Sequence, residues 1–292
     1  MIDRRIVYSG MMTVGSVLGL WATAVQADFA LNMTRGATAI SREVYDLHMM
    51  IFWICVAIGV VVFGVMFWSI YHHRKSRGAV PAQFHESTLV EVLWTVVPMA
   101  ILIAMAVPAT KTLIRMADAR DAELTIKVTG YQWRWHYDYL NEGIGFFSTL
   151  ATPQAQIHNH EHKHEHYLLE VDRRLVLPVG KKIRILTTAA DVIHSWWVPA
   201  LGWKRDAIPG FINESWTEIE KPGVYRGQCA ELCGRDHGFM PVVVEVKSQQ
   251  DYDAWLAAQK ASMQASKALP SKVAQAAQDT DEPTALRVAT AE

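Results

Sequence analysis

The sequence predicts a membrane-anchored all-β protein, in which a two-helix transmembrane hairpin precedes a β-barrel or β-sandwich domain. Two long apolar segments lie in the first half of the chain. From Glu123 onward the pattern changes to short runs in which apolar and polar residues alternate, with Gly or Pro between them. Such runs are typical of strands, and several in succession favour a sandwich or barrel. The 292 residues therefore divide into segments suited to different solvents.

The first 27 residues have the pattern of a secretory signal peptide. Arg4 and Arg5 form a basic start, an apolar run follows, and small residues precede Asp28. We predict cleavage after Ala27, which leaves 28–117 as the N-terminal segment and hairpin. An uncleaved third membrane anchor stays open as the alternative, because the apolar run approaches the minimum span of about 17 residues.

The two apolar segments are long enough to cross a bilayer, and we expect helices at about 46–71 and 89–115. The first contains 22 consecutive residues without a charge, which at about 1.5 Å per residue spans a hydrocarbon core of about 30 Å. The second is less regular, because it carries Glu91 and two prolines, but it is still predominantly apolar. Both helices are expected to contact membrane lipid.

The connection between these helices indicates their orientation. It is short and contains Arg74, Lys75 and Arg77, and basic residues concentrate in cytoplasmic loops. We therefore expect a multi-pass protein with two helices in the bacterial inner membrane and its C-terminal domain in the periplasm.

The exported part is predicted to be an all-β domain over 118–250. Residues 251–264 look like a terminal helix with an apolar side, and 265–292 contain few large apolar residues, which predicts disorder. The formal net charge of the chain is -1. Because no basic face is available to neutralise phosphates, nucleic acid is excluded as a partner.

Metal-binding residue types concentrate in the stretch "CAELCGRDHGFM", which contains Cys229, Cys233, His237 and Met240. In an oxidising compartment the first alternative is a disulfide between the two cysteines. Closing so short a loop constrains the unfolded chain little, and a disulfide leaves the imidazole and the thioether unexplained. The third cysteine lies in the first apolar segment, where a buried apolar role is favoured.

Thiolate, imidazole and thioether together suit copper, whereas structural zinc has no use for a thioether. Blue copper sites place one Cys, a His and an axial Met in one loop, with a second His from an earlier strand. His194 in "DVIHSWWVP", at the predicted end of an alternating strand, is the candidate for that second His. This sequence has two cysteines in the loop, one more than a blue copper site uses.

Two bridging thiolates can hold two coppers, with one terminal His on each. Met240 and the backbone carbonyl of Glu231 would supply weak axial donors. We therefore infer a binuclear copper site. Because it leaves no coordination position open and its loop is pinned in a β-domain, it favours outer-sphere electron transfer over substrate binding.

A second candidate for metal binding is the run "HNHEHKHEH". Its five histidines occupy alternate positions and would face one side if the run were extended, so zinc, nickel or copper binding is an alternative. They are His158, His160, His162, His164 and His166. Because no soft ligand accompanies them and charged residues separate them, we interpret the run as an exposed loop insertion.

The motifs "EVLWTVVP", "GYQWRWHYDY", "HSWWVP" and "CAELCGRDHGFMP", which follow one another in this order over about 40–255, resemble subunit II of haem–copper cytochrome c oxidase. The resemblance implies a cupredoxin-like domain with the binuclear centre called CuA. The implied copper ligands are His194, Cys229, Glu231 through its carbonyl, Cys233, His237 and Met240.

The resemblance also implies roles for residues outside the copper ligands. Trp133 matches the position at which electrons arrive from docked cytochrome c, with Arg134 as a neighbouring cation. Glu91 matches the entrance of a proton pathway that continues in subunit I, and a carboxylate within a membrane helix is usually functional. The Glu231 side chain matches a magnesium ligand at the subunit I interface. Residues that match cytochrome c docking positions are Gln132, Asp138, Asp172 and Asp191.

The expected function is thus that of subunit II of cytochrome c oxidase. It would accept electrons from cytochrome c at CuA and pass them to haem in subunit I, where oxygen is reduced to water coupled to proton translocation. The two cysteines argue against a quinol oxidase subunit, and nitrous oxide reductase would need a large additional domain. A membrane-anchored periplasmic copper-binding or copper-delivery protein would explain the thiols but not Trp133 or Glu91.

Overall fold

The computed structural model describes residues 32–83 and 85–279, and for 266–279 it describes the backbone alone. The predicted signal peptide lies outside the described residues, as does the end of the chain from residue 280.

Two long apolar helices open the described part of the chain. Helix α1 spans Ala39–His72 and helix α2 spans Thr88–Ala117, so both extend beyond the predicted 46–71 and 89–115. Within the described residues, these two are long and apolar enough to cross a membrane. Their apolar side chains are mostly exposed in the isolated chain. Because water is a poor solvent for so much apolar surface, lipid or neighbouring subunits must cover it.

The remainder of the chain is a β-sandwich, as predicted. In the described residues, two five-stranded sheets have the orders β3-β2-β1-β5-β8 and β4-β10-β9-β6-β7. The strands of the first sheet are β1 (Leu124–Tyr131), β2 (Arg134–Tyr139), β3 (Ile144–Ser148), β5 (Lys182–Ala189) and β8 (Asn213–Glu218). Those of the second are β4 (Leu175–Pro178), β6 (His194–Trp197), β7 (Lys204–Ala207), β9 (Gly223–Cys229) and β10 (Pro241–Lys247).

The core follows from the alternating pattern. Along β2, Trp135, Tyr137 and Tyr139 are fully buried, while the residues between them are at least partly accessible. Ile183 and Ile185 of β5 face the same core. Aromatic and β-branched residues at every second position thus fill the space between the sheets. The membrane-anchored all-β fold class is confirmed.

The start of α1 is fastened to the β-domain. Thr38 caps the helix, because its Oγ1 accepts a hydrogen bond from the Ser41 N–H at 3.0 Å. The same hydroxyl donates to the Leu201 carbonyl at 3.0 Å. Arg42 forms an ion pair with Glu220 one turn further along. The hairpin and the sandwich are therefore joined by buried hydrogen bonds as well as by the chain.

Two further helices complete the described fold. The short α3 (Gln154–Ile157) lies in the connection between β3 and β4, and α4 spans Gln249–Asp279. Helix α4 is longer than the predicted 251–264, because its backbone continues as a helix to Asp279, into the segment for which the sequence predicts disorder. The reason is its Ala, Gln and Lys content, because these residues have high intrinsic helix propensity.

Candidate metal centre

The candidate metal centre is built on the loop that connects β9 to β10. We call residues 230–240 the metal loop. Its ends are held together, because the Cys229 N–H donates to the Met240 carbonyl at 3.0 Å. The Ala230 N–H donates to the Ser195 carbonyl of β6 at 2.9 Å. Since β6 pairs with β9, His194 at the start of β6 lies beside Cys229.

Four of the predicted ligands form a continuous series. His194 Nδ1 lies 3.9 Å from Cys229 Sγ. The two sulfur atoms of Cys229 and Cys233 are 3.8 Å apart. Cys233 Sγ lies 3.5 Å from His237 Nδ1. The order is imidazole, thiol, thiol, imidazole, so each thiol has one imidazole of its own.

These separations fit metal ions and do not fit a disulfide. A disulfide requires about 2.05 Å between the sulfur atoms, whereas they are 3.8 Å apart. An ion about 2.3 Å from two sulfurs at a tetrahedral angle holds them about 3.8 Å apart, and with one nitrogen ligand the S–N separation is about 3.6 Å. The residues present therefore fit metal binding by both thiols together with the two imidazoles.

The two predicted weak donors lie at the same loop. The Glu231 carbonyl accepts from Cys229 Sγ at 3.4 Å, while the residue itself is exposed. The side chain of Met240 is buried at the end of the loop. Glu231 thus turns its backbone toward the thiols and leaves its carboxylate accessible.

The His194 ring is fixed from two sides. Asp191 Oδ1 lies 2.9 Å from His194 Nε2, which leaves Nδ1 for the thiols. On the other side, a Cβ atom added to Gly130 would lie 2.6 Å from His194 Cδ2. A carboxylate on the second nitrogen of a histidine ligand orients the ring and raises its basicity. Asp191 therefore orients the His194 ring, and the absence of a side chain at Gly130 leaves space for that ring.

These two neighbours change the sequence-based account. Asp191 was predicted only as a docking residue, and Gly130 was not singled out, although a Gly inside an alternating strand indicates a close approach. His194 also begins β6 instead of ending a strand. The reason is that β5 ends at Ala189 and the intervening turn carries the chain into the other sheet.

The two thiols differ in their acidity. Burial opposes ionisation of Cys229, but hydrogen bonds from His194 and the backbone outweigh it and lower the pKa of its thiol. Burial and the nearby charge of Cys229 raise the pKa of the Cys233 thiol. Binding metal through both sulfurs therefore displaces at least one proton at neutral pH.

Trp133 lies directly against the metal loop. Its Nε1–H donates to the Cys233 carbonyl at 3.2 Å, and the Gln132 side chain donates to the same oxygen at 2.9 Å. The cation beside the indole is Arg235, whose guanidinium carbon is 5.7 Å from the ring centroid. Arg134, predicted in that position, lies over Phe147 instead, at 4.1 Å.

The other predicted docking acids lie away from this series of contacts. Asp138 forms an ion pair with Lys127 at 3.0 Å. Asp172 accepts from the Thr149 hydroxyl at 2.7 Å. Glu91 is exposed in the first turn of α2, on the hairpin, and the structure does not bring it to the metal centre.

The histidine run does not form the extended segment that would put all five rings on one side. It continues from α3 through a turn into an exposed loop. The rings of His158 and His160 lie close together, with centroids 6.1 Å apart. Among the described residues, His194, Cys229 and Cys233 are the group whose ligand atoms all lie within 4.8 Å of one another.

Fold and site together define a class of protein: a cupredoxin-like subunit on a two-helix membrane anchor, with a thiol–imidazole metal centre in the loop before its last strand. Comparison with known proteins gives the same class. The family described as "Cytochrome C oxidase subunit II, periplasmic domain" matches residues 124–247. The family described as "Cytochrome C oxidase subunit II, transmembrane domain" matches residues 26–112.

Individual relatives extend over both parts. The chain is 42% identical over 221 residues to the "Probable cytochrome c oxidase subunit 2" of Rickettsia bellii, covering 76% of this chain and 81% of that one. It is 38% identical over 254 residues to the "Cytochrome c oxidase subunit 2" of Chondrus crispus, covering 83% and 98%. The crystal structure of the periplasmic domain of subunit II of cytochrome oxidase from Bradyrhizobium japonicum is 41% identical, with a TM-score of 0.45, and covers 49% of this chain and 98% of that one.

The chain belongs to the cytochrome c oxidase subunit II family. It is a subunit of an oxidoreductase, and the resemblance predicted from its motifs is confirmed.

Proposed function

We propose that this chain is the electron-accepting subunit of a bacterial cytochrome c oxidase. It takes electrons from cytochrome c at a binuclear CuA centre and passes them to haem in subunit I, where oxygen is reduced to water with proton translocation. One observation carries the proposal: the Cys229 and Cys233 sulfurs are 3.8 Å apart, and each lies near one imidazole Nδ1.

The chain supplies a complete set of ligands for a copper pair. His194 and His237 would be the terminal ligands, and Cys229 and Cys233 the bridging ones. Met240 sulfur and the Glu231 carbonyl would complete the set as weak donors. When bound, the copper pair would accept and release one electron. With every position occupied by the chain, no site is left for a substrate.

The surrounding residues hold these ligands still. Hydrogen bonds close the metal loop at Cys229 and Met240, and Asp191 holds the His194 ring. The sandwich therefore keeps the ligand positions nearly constant in both oxidation states. The barrier to electron transfer is low when the geometry hardly changes between oxidation states, which suits a carrier that turns over rapidly.

The indole of Trp133 is the proposed route by which electrons arrive. It is partly exposed at the surface and reaches the Cys233 carbonyl through its own N–H. A donor that docks over this indole is connected to a bridging thiol by one hydrogen bond and a short stretch of backbone. Gln132, Asp138, Asp172 and Asp191 remain predicted docking residues for a basic cytochrome c.

The hairpin and two acidic residues complete the proposal for the assembled enzyme. Basic residues in the connection between α1 and α2 favour a cytoplasmic turn, so the β-domain faces the periplasm of an inner membrane. Glu91 would then lie at the cytoplasmic side, where a proton pathway begins. The exposed carboxylate of Glu231 would bind magnesium at the subunit I interface, whereas its backbone carbonyl would be a weak copper donor.

The test compares variants of the assembled oxidase. Trp133→Ala should leave copper content and spectrum unchanged and slow the oxidation of cytochrome c, because only the electron route is removed. Trp216→Ala removes another partly exposed indole and serves as the matched control. Cys229→Ser should abolish both the copper spectrum and the oxidation. Unaltered kinetics in Trp133→Ala would contradict the assigned route.

A further inference from the structure

A second group of metal-binding side chains lies outside the centre, in the connection from β3 to β4. Of its five histidines, His158 and His160 have neighbouring rings, and both residues are exposed. We propose that this pair binds a Cu²⁺ ion and raises the local copper concentration where the metal centre is loaded. The loading role rests on the proposed copper function, whereas the binding itself does not.

The two rings are close enough to share one ion. Two imidazoles on one ion, with metal–nitrogen distances of about 2.0–2.1 Å as for zinc, place their ring centroids about 4.5–6.5 Å apart, depending on the angle at the metal. The centroids of His158 and His160 are 6.1 Å apart, with 36° between the ring planes. Rotation of exposed side chains is therefore sufficient for both to coordinate the same ion.

The backbone holds the two residues in this arrangement. The His158 N–H donates to the Gln154 carbonyl at 2.9 Å, and the His160 N–H donates to the Ala155 carbonyl at 2.7 Å. Asn159 between them has φ 59°, a left-handed conformation that Asn tolerates better than most residues. The end of α3 and this turn thus place the two rings beside each other. The turn, and not an extended strand with histidines at alternate positions, produces this arrangement.

One member of the pair, His158, lies near the metal loop. His158 lines a surface pocket of about 560 Å³ together with Trp133, Arg235, Asp236 and Phe239. Three of these pocket residues belong to the metal loop, and Asp236 directly precedes a proposed copper ligand in the sequence. An ion held by the pair is therefore adjacent to the loop that must receive it.

The donor chemistry fits an intermediate holding site. Imidazole nitrogen binds late divalent metals, and Cu²⁺ binds most tightly among them. The run from His158 to His166 contains neither Cys nor Met, so it binds copper more weakly than a site with two thiolates. Transfer of the ion from the nitrogen ligands of the histidine pair to the sulfur ligands of the metal centre is therefore favourable in free energy.

The binding test uses the full chain in detergent, without a polyhistidine tag, in a Cys229→Ser/Cys233→Ser background. Titration with copper sulfate, followed by electron paramagnetic resonance, should give a single-ion Cu²⁺ signal with nitrogen couplings. His158→Ala/His160→Ala should weaken this binding by at least about tenfold. Loss of a residue that only orients a metal ligand already lowers metal affinity by about 10–100-fold, and loss of the ligand itself should lower it at least as much. His162→Ala/His164→Ala is the matched control and should retain it. Unchanged binding in the first pair, or equal loss in the control, would overturn the site.

The loading test uses chains with both thiols intact at limiting copper sulfate, with a mild one-electron reductant present because two Cu²⁺ ions must gain one electron to form a pair with a single unpaired electron. The His158→Ala/His160→Ala variant should fill the metal centre several-fold more slowly, and reach the same occupancy with excess copper. Equal loading rates would overturn the role in loading. If the thiols never take up a copper pair, the proposed function fails, whereas the double-serine titration still decides whether the pair binds copper.

Discussion

At the scale of single residues, the metal centre depends on neighbours that bind no metal themselves. Asp191 accepts hydrogen bonds from the Gln132 N–H at 2.7 Å and from His194 at 2.9 Å. Because the Gln132 side chain in turn donates to the Cys233 carbonyl, one carboxylate connects a proposed ligand to the turn that carries Trp133. Its role is positioning, in addition to any part in docking.

We expect Asp191→Asn to weaken copper binding by about 10–100-fold, the usual effect of losing the partner of a histidine ligand. Asparagine keeps the size of the side chain but offers one acceptor where two are used. Competition with a copper chelator measures the affinity. Asp138→Asn removes a carboxylate with no contact to the centre and should leave the affinity unchanged. Equal affinities in all three proteins would show that Asp191 does not position His194.

Gly130→Ala should displace the His194 ring, because the added Cβ would come within 2.6 Å of it. Crowding of this kind costs about 1–3 kcal/mol, and copper occupancy should fall with it. Gly238→Ala adds the same methyl group in the metal loop, where nothing lies within 4 Å, and should be tolerated. Thermal unfolding and copper analysis measure the two effects. Full occupancy in Gly130→Ala would mean that the ring has room to move.

At the scale of elements, the hairpin and the sandwich meet at a junction in which buried polar groups form hydrogen bonds with one another. Thr38 is buried and uses its hydroxyl both to cap α1 and to bond the Leu201 carbonyl. The junction sets how the β-domain stands on the membrane helices, and with it the position of the metal centre relative to the other subunits.

Thr38→Ala should destabilise this junction by about 0.5–2 kcal/mol, the usual cost of losing a helix cap. The midpoint of thermal unfolding should fall by about 2–4 °C for each kcal/mol. Thr34→Ala alters an exposed threonine four residues earlier and is the control. Identical midpoints for both variants would show that the cap contributes nothing to the stability of the assembled domain.

Sequence patterns and three-dimensional contacts contributed differently to this picture. Alternation predicted the sandwich, and uninterrupted apolar segments predicted α1 and α2, because both signals are local along the chain. The pairing of His194 with Asp191 and the close approach of Gly130 arise from β1 and the turn before β6 meeting in space. The arrangement of the histidine run depends on the turn at Asn159, which overrides the alternation of its residues.

At the scale of the whole molecule, the proposed function gives each part of the chain a place on one electron path. The hairpin would anchor the protein in the membrane, the sandwich holds the metal loop, and Trp133 would carry electrons from the surface to that loop. Helix α4 braces the far side of the sandwich, where Trp255 packs 5.4 Å from the Tyr139 ring, centroid to centroid. The proposed function leaves oxygen chemistry to the partner subunit, because residues of this chain would fill the coordination positions of the copper pair.

In the proposed function, the two thiols of this chain hold two copper ions. The most direct measurement is electron paramagnetic resonance of the copper-loaded, partly oxidised full-length protein. One unpaired electron shared equally by two copper nuclei predicts a seven-line hyperfine pattern, which Cys229→Ser should abolish. A four-line spectrum from a single copper in the unaltered protein, or binding of zinc alone, would contradict the account.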